Sequence, residues 1–203
     1  MKSLFLDTTG AKMRVAYAND GCVVREFVGT DGVSQSEEIF VAVAKVLGDI
    51  RVADLDFMVV LGGPGSFTGI RLGLSVAKGF NLATKLPVVV VNNFVATVYS
   101  LDDAERAKLH EFYVCLNAGV NDVYVAKVGA NGAEIEAGRI VKRAEFVADL
   151  PVIEDGEIVP ERVVSAVAKS FDKAKFVQGE IEPTYIKPHY AKVKAKAEVK
   201  AGI

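Results

Sequence analysis

"FLDTTGAKMRVAY", residues 5–17, decides the architecture. An apolar run ends on an acid, Asp7. The chain turns through Thr8, Thr9 and Gly10 and returns as a second run in which Met13, Val15 and Tyr17 alternate with other residues. Period-two alternation reads as a strand. The Asp20–Gly21 pair then marks a tight turn into "CVVREFV", residues 22–28. The chain therefore opens with a three-stranded meander.

Further along, "SQSEEIFVAVAKVLGD" (34–49) reads as a helix. Ser34 and Glu37 have capping-box spacing, and Ile39, Val43, Val46 and Leu47 share one face. "DFMVVLGG" (56–63) and "LPVVVVN" (86–92) are bare apolar runs of strand length, expected to be buried on both sides. Between them stands "LGGPGSFTGIRLGLSVAKGF" (61–80), a strand, a glycine turn and a helix. A further helix is expected over 93–108. The pattern then restarts with "EFYVCLNA", "DVYVAKV" and "AEIEAGRIVKR", three strand candidates joined by glycine turns. Helical stretches near 143–149 and 160–170 and a strand at "AKFVQ" (174–178) follow. Two α/β lobes are expected, residues 1–98 and a smaller 99–203, with a lysine-rich tail fraying beyond about Ala191.

The whole chain sets outer bounds. It has 203 residues, 51% hydrophobic and 25% charged, the balance of a globular protein with a real core. A net charge of −2 gives no general attraction to nucleic acid or anionic membrane. The longest apolar run is too short to span a bilayer, and no leader is legible before Asp7. Cys22 and Cys115 lie in strand-like runs and read as buried thiols, not as metal ligands, so a reducing cytoplasm is the expected address.

The glycine stretch fits no standard catalytic motif. A Walker A loop would place lysine after Gly69, where Ile70 stands. Gly63, Gly65 and Gly69 miss the dinucleotide spacing by one, and Ser66 lacks the frame of a nucleophile elbow. His110 and His189 stand far along the chain, and no zinc motif is present. Physically, Gly62, Gly63 and Gly65 around Pro64 allow a sharp exit from a buried strand. Ser66 or Thr68 can cap the following helix. Gly69, Gly73 and Ala77 then recur every fourth residue, one face without bulk. Glycine inside a helix costs about 1 kcal/mol against alanine, so something packs closely there. Spacing alone admits an element of the same chain or a second protein. Arg71 in the first turn opposes the helix dipole, which calls for an acid from this chain or a partner, or for solvent.

The acid-and-hydroxyl turn at Asp7, Thr8 and Thr9 is similar to the phosphate- and metal-holding turn of actin-like, hexokinase-like and Hsp70-like ATPases. It is also ordinary turn chemistry. "FLDTTGAKMRVAY" followed by "LGGPGSFTGIRLGLSVAKGF" strongly resembles the TsaB (YeaZ) family of bacterial tRNA modification. "LNAGVNDVYVA" resembles that family's second lobe and "EPTYIKPHYAK" its C-terminal end. The resemblance implies an α/β, actin-like (ASKHA, RNase H-like) two-lobe fold with a reduced second lobe and no catalysis of its own. It implies a TsaD-like catalytic partner and a TsaE-like ATPase, acting to install a threonylcarbamoyl group on adenosine next to the tRNA anticodon. A second copy of the chain is an alternative partner, tRNA is met only through the complex, and no membrane is involved. It also implies that the helices at 35–48 and 67–84 dock on the partner. The interface residues expected on that basis are Ile39, Val43, Gly69, Arg71, Gly73, Leu74 and Ala77. Asp7, Thr8 and Thr9 are the candidate nucleotide contacts, with ATP or ADP alternatively at a subunit interface. No intrinsic cofactor or metal is expected.

Two departures from the family pattern are legible. "SQSEE" lacks the histidine often found at the start of the first helix, and Asn117, Ala118 and Gly119 replace an Asp-Ala-Arg run. The competing reading is a small actin-like phosphotransferase with Asp7 on metal and Thr8 or Thr9 on phosphate, which needs a second acid where Asn117 stands. A protease reading lacks a nucleophile–base pair. Lys187, Lys192, Lys194, Lys196 and Lys200 form a tail that suits solvent or a weak tRNA contact.

Overall fold

The structure, a computed structural model, describes residues 1–172 and 181–186. The opening meander is present: β1 (Lys2–Asp7), β2 (Arg14–Asn19) and β3 (Cys22–Val28). Asp20 and Gly21 both have positive φ, 51° and 82°, which a tight hairpin turn of the expected kind requires. β4 (Phe57–Leu61) and β5 (Val88–Val91) complete a five-stranded sheet of order β3-β2-β1-β4-β5. β1 pairs antiparallel with β2 and parallel with β4, and β4 pairs parallel with β5. Parallel neighbours need crossovers, which α1 (Gln35–Leu47) and α2 (Phe67–Thr84) supply.

Alternation sends side chains to two cores. Leu4, Leu6, Met13, Val15, Tyr17, Met58 and Val60 meet Ile39, Val43, Ile70 and Leu74 beneath α1 and α2. Phe5, Ala16, Ala18, Phe57, Val59 and Leu61 face the other way, toward α3 (Asn93–Ser100) and α5 (Pro160–Ser170). A one-residue slip in β2 would exchange these sets and drive Met13, Val15 and Tyr17 into space built for Ala16 and Ala18.

The second sheet has order β8-β7-β6-β9, from β6 (Glu111–Asn117), β7 (Asp122–Gly129), β8 (Glu134–Lys142) and β9 (Val152–Glu154). Phe94 and Val98 of α3 pack on one face of it, with Phe112, Val114 and Tyr124. This is the actin-like fold, with a small second lobe.

Several expectations are corrected. The helix over 93–108 divides into α3 and α4 (Asp103–Ala107), because Leu101 is extended and Asp102 begins a new capping box with Glu105. Residues 143–149 hold only a 3-10 turn, Arg143–Glu145. β9, too short to stand out in sequence, pairs parallel with β6. α5 lies where expected in the chain but packs on β1, β2 and β3 and on α3, so its apolar face serves the first lobe. Ser34 stands at the cap of α1 without capping through its side chain; its hydroxyl meets that of Ser36. Glu38 accepts the Thr30 N–H at 2.9 Å. Cys22 is exposed, whereas Cys115 is buried. The strand at 174–178 and the lysine tail lie outside the described residues. Among the described residues no helix is long and apolar enough to cross a membrane.

Candidate functional site: the Asp7 turn and the outer helix faces

Asp7 ends β1 almost out of contact with solvent, at 6% exposure. Its Oδ1 accepts the Thr9 N–H at 2.8 Å and the Thr9 hydroxyl at 2.7 Å. Burial pushes the carboxyl above the usual carboxylate range, opposed by the Thr9 hydrogen bonds and the nearby Arg14 charge. Thr9 Oγ1 in turn accepts from Asn93 Nδ2 at 2.6 Å, and Asn93 Oδ1 accepts the Gly63 N–H at 3.2 Å. Asn93 N–H donates back to Gly63 O at 2.7 Å. One buried side chain from α3 thus joins the Asp7 turn to the glycine turn. Sequence reading did not single out Asn93. Its signal was the Asn92–Asn93 pair after β5, where Asn92 caps α3 by accepting from Val95 N–H at 2.8 Å.

The glycine stretch meets the same turn. Ser66 Oγ caps α2 by accepting from Gly69 N–H at 3.2 Å, as expected. Ser66 N–H donates to Thr9 O at 2.8 Å, and Thr8 Oγ1 donates to Gly69 O at 2.6 Å. A Cβ built on Gly65 would stand 2.7 Å from Thr9 O, and one on Gly69 only 1.8 Å from Thr8 O. On Gly73 it would stand 2.5 Å from Thr8 Oγ1 and 3.4 Å from Val60 Cγ2. The small-residue face is therefore the seat of the chain's own Asp7 turn. Gly69, Gly73, Leu74, Ala77, Ile39 and Val43 are all buried within the first lobe. Their assignment to a docking face is corrected: bulk is absent there because β1 and its turn fill the space.

This packing decides what the turn can hold. A phosphate needs free donors, and the hydroxyls of Thr8 and Thr9 are spent on Gly69 O and Asp7. A divalent cation needs carboxylate oxygens, and Asp7 Oδ1 is already taken up by the Thr9 N–H and hydroxyl. In the second lobe Asn117 Oδ1 accepts the Gly119 N–H at 2.8 Å, while its own N–H donates to Asp155 at 2.7 Å. As arranged, the side chains of Thr8 and Thr9 offer no free hydroxyl to a phosphate. Among the described residues, no group of three or more His, Cys, Asp or Glu side chains comes together.

The outer faces of α1 and α2 are different. α1 exposes Phe40 at 62%, with Val41 and Ala44 beside it. α2 exposes Arg71, Ser75, Lys78, Gly79, Leu82 and Ala83, with Leu82 at 72%. Ser75, Gly79 and Ala83 repeat every fourth residue, like the inward set but offset by two, which carries them to the outside. A Cβ on Gly79 would meet nothing within 4 Å. Arg71, which sequence reading placed at an interface, is exposed, with its guanidinium 3.9 Å above the Phe67 ring and its Nε donating to Tyr185 Oη at 3.2 Å. Aromatic faces thus help hold the cation at this helix end, a solution the sequence reading missed.

The model of the family TsaD, tRNA N6-adenosine threonylcarbamoyltransferase, matches residues 34–184. The Escherichia coli K12 protein TsaB, a tRNA threonylcarbamoyladenosine biosynthesis protein, is 31% identical over 97 residues, 47% of this chain and 42% of that one. TsaB of Bacillus subtilis 168 is 30% identical over 95 residues, 46% of this chain and 42% of that one. The chain spans about half the length or less of the TsaB relatives it matches, 36% for that of Haemophilus influenzae and 55% for that of Buchnera aphidicola. In fold, it superposes with a TM-score of 0.70 on a Pseudomonas aeruginosa protein with similarity to peptidase YEAZ. That match has 17% identity and covers 92% of this chain and 99% of the other. The chain belongs to the TsaD family, and the relatives it resembles include TsaB proteins.

Proposed function

We propose that this chain is a non-catalytic subunit of a tRNA-modifying assembly. It docks the outer faces of α1 and α2 on a TsaD-like partner, which transfers a threonylcarbamoyl group to adenosine next to the anticodon. The observation that carries the reading is the pairing of an Asp7 turn whose hydroxyls are engaged with exposed apolar side chains on the outer sides of α1, at Phe40 and Val41, and of α2, at Leu82. The names of the TsaB relatives supply the pathway. Ser75, Gly79 and Ala83 let a facing helix approach to about 8 Å between axes. Phe40 and Leu82 each offer about 1.5–3 kcal/mol of gross burial, against which association costs are set.

The subunit acts by contacting the partner's active arrangement better than its inactive one, since only differential contact shifts an equilibrium. A TsaE-like ATPase joins the same assembly, and tRNA reaches the chain only through it. A second copy of the chain can cover the face in the partner's absence. Adenine nucleotide used by the assembly sits at a subunit junction, because the Thr8 and Thr9 hydroxyls of the Asp7 turn are already engaged.

Reconstituted modification of tRNA by the partner tests this. Asp7→Asn should support full activity, since Asn Oδ1 still accepts from Thr9. Phe40→Asp with Leu82→Asp should abolish stimulation. Loss of activity in a folded, fully assembled Asp7→Asn complex would return catalysis to this chain.

A further inference from the structure

Residues 181–186 cross the glycine turn from one lobe to the other. Ile181 is buried in the core beneath α1 and α2. Thr184 N–H donates to Gly62 O at 2.8 Å. The backbone passes so close that a Cβ on Gly63 would stand 3.1 Å from Thr184 O. Ile186 packs in the second lobe's core, where Gly138 admits it: a Cβ there would be 2.5 Å from Ile186 Cδ1 and 2.6 Å from Phe94. Between these anchors, Tyr185 projects onto α2, its ring centroid 5.3 Å from that of Phe67 and its hydroxyl accepting from Arg71. Phe67 and Arg71 are one turn apart and lie on the same exposed side of α2 as Ser75, Lys78 and Leu82.

We propose that residues 181–186 are a coupling strap: seating Tyr185 on Phe67 and Arg71 and seating Ile186 in the second lobe are one event. The strap is too short to move one end freely of the other. Six extended residues reach at most about 20 Å, and Thr184 is pinned midway. The partner-facing end of α2 and the placement of the second lobe are therefore linked, and linkage is reciprocal: whatever favours one favours the other. Tyr185 and Phe67, both about two-fifths exposed, also add two rings beside an arginine to the docking face, the residue types that anchor interfaces. This part rests on the docking reading above; the mechanical coupling does not.

Hydrogen exchange on the full chain tests the coupling without a partner. Ile186→Ala removes contacts in the cluster shared by α3 and the second sheet, away from the glycine turn, yet should speed exchange at least tenfold at residues 62–66 and in the first turn of α2. Tyr185→Ala should speed exchange in β8 near Gly138. Changes confined to the mutated lobe in both variants would overturn the proposal. Partner affinity gives a second readout, with Tyr185→Phe as the conservative variant. Tyr185→Ala should weaken binding about tenfold, and Tyr185→Phe, which keeps the ring, much less. Unchanged affinity for Tyr185→Ala while Leu82→Asp abolishes binding would remove the strap from the interface and leave the docking reading standing. Binding unaffected by Leu82→Asp would instead sink the docking reading.

Discussion

Alanine at Gly69 and alanine at Gly79 should move stability in opposite directions, although both lie in α2. At Gly79 a Cβ meets open space, so the change removes a flexible residue from a helix interior and stabilises by up to about 1 kcal/mol. At Gly69 the Cβ would fall 1.8 Å from the carbonyl oxygen of Thr8 and 2.9 Å from its carbon. That neighbour is backbone and cannot rotate away, so α2 and the Asp7 turn must separate. Overpacking of this kind costs about 1–3 kcal/mol. Separation also loses the Thr8–Gly69 hydrogen bond, buried and worth about 1 kcal/mol. Against the helix gain, the net expectation is a loss of about 1–3 kcal/mol. Urea titration reads both variants, with the midpoint falling for Gly69→Ala, rising for Gly79→Ala, and the slope unchanged in each. Equal midpoints for the two would refute the claim that the glycine face is an internal seat.

Other consequences are equally direct. Asn93→Leu leaves Thr9 Oγ1 and Gly63 N–H without their buried partner and should cost about 2–4 kcal/mol in the same titration. Asp7→Asn should alter the pH profile. A carboxyl whose folded pKa is raised makes the native state hold more protons, so its contribution declines as pH rises from just below 3.8 through the raised value. The stability of Asp7→Asn relative to wild type should therefore rise across that window and then level off; a flat difference would show that Asp7 is not buried as described. Burial, with Glu154 nearby, pushes the Cys115 thiol up to about 11, whereas Cys22 is exposed. One thiol per native chain should react with a disulfide reagent at pH 8, and two after unfolding.

The first sheet was legible because its signals are local. Met13, Val15 and Tyr17 announce a strand by period, and Asp20–Gly21 announces its turn by the φ values that pair tolerates. The glycine helix was half legible. Four-residue spacing of Gly69, Gly73 and Ala77 correctly defines a face that something approaches. It does not say what approaches, and the answer, Thr8, lies 61 residues from Gly69 in the chain. The outward set, Ser75, Gly79 and Ala83, has identical spacing; only the position of the sheet separates the two. The same limit explains α5, whose apolar stripe marks a buried face without saying which sheet buries it. Cys22 sits in a strand-like run, and its exposure follows from β3 being an edge strand. Ser34 has ideal cap spacing, yet its hydroxyl meets Ser36.

The central claim is that the docking face is the outside of α1 and α2. Sedimentation of the chain mixed with its cognate TsaD-like protein tests it most directly, with wild type beside Leu82→Asp and Phe40→Asp. Both substitutions sit on exposed positions and should leave the chain folded. The account expects a one-to-one complex for wild type and separate species for either variant. Complex formation undiminished in both variants would contradict it and place the partner elsewhere on the molecule.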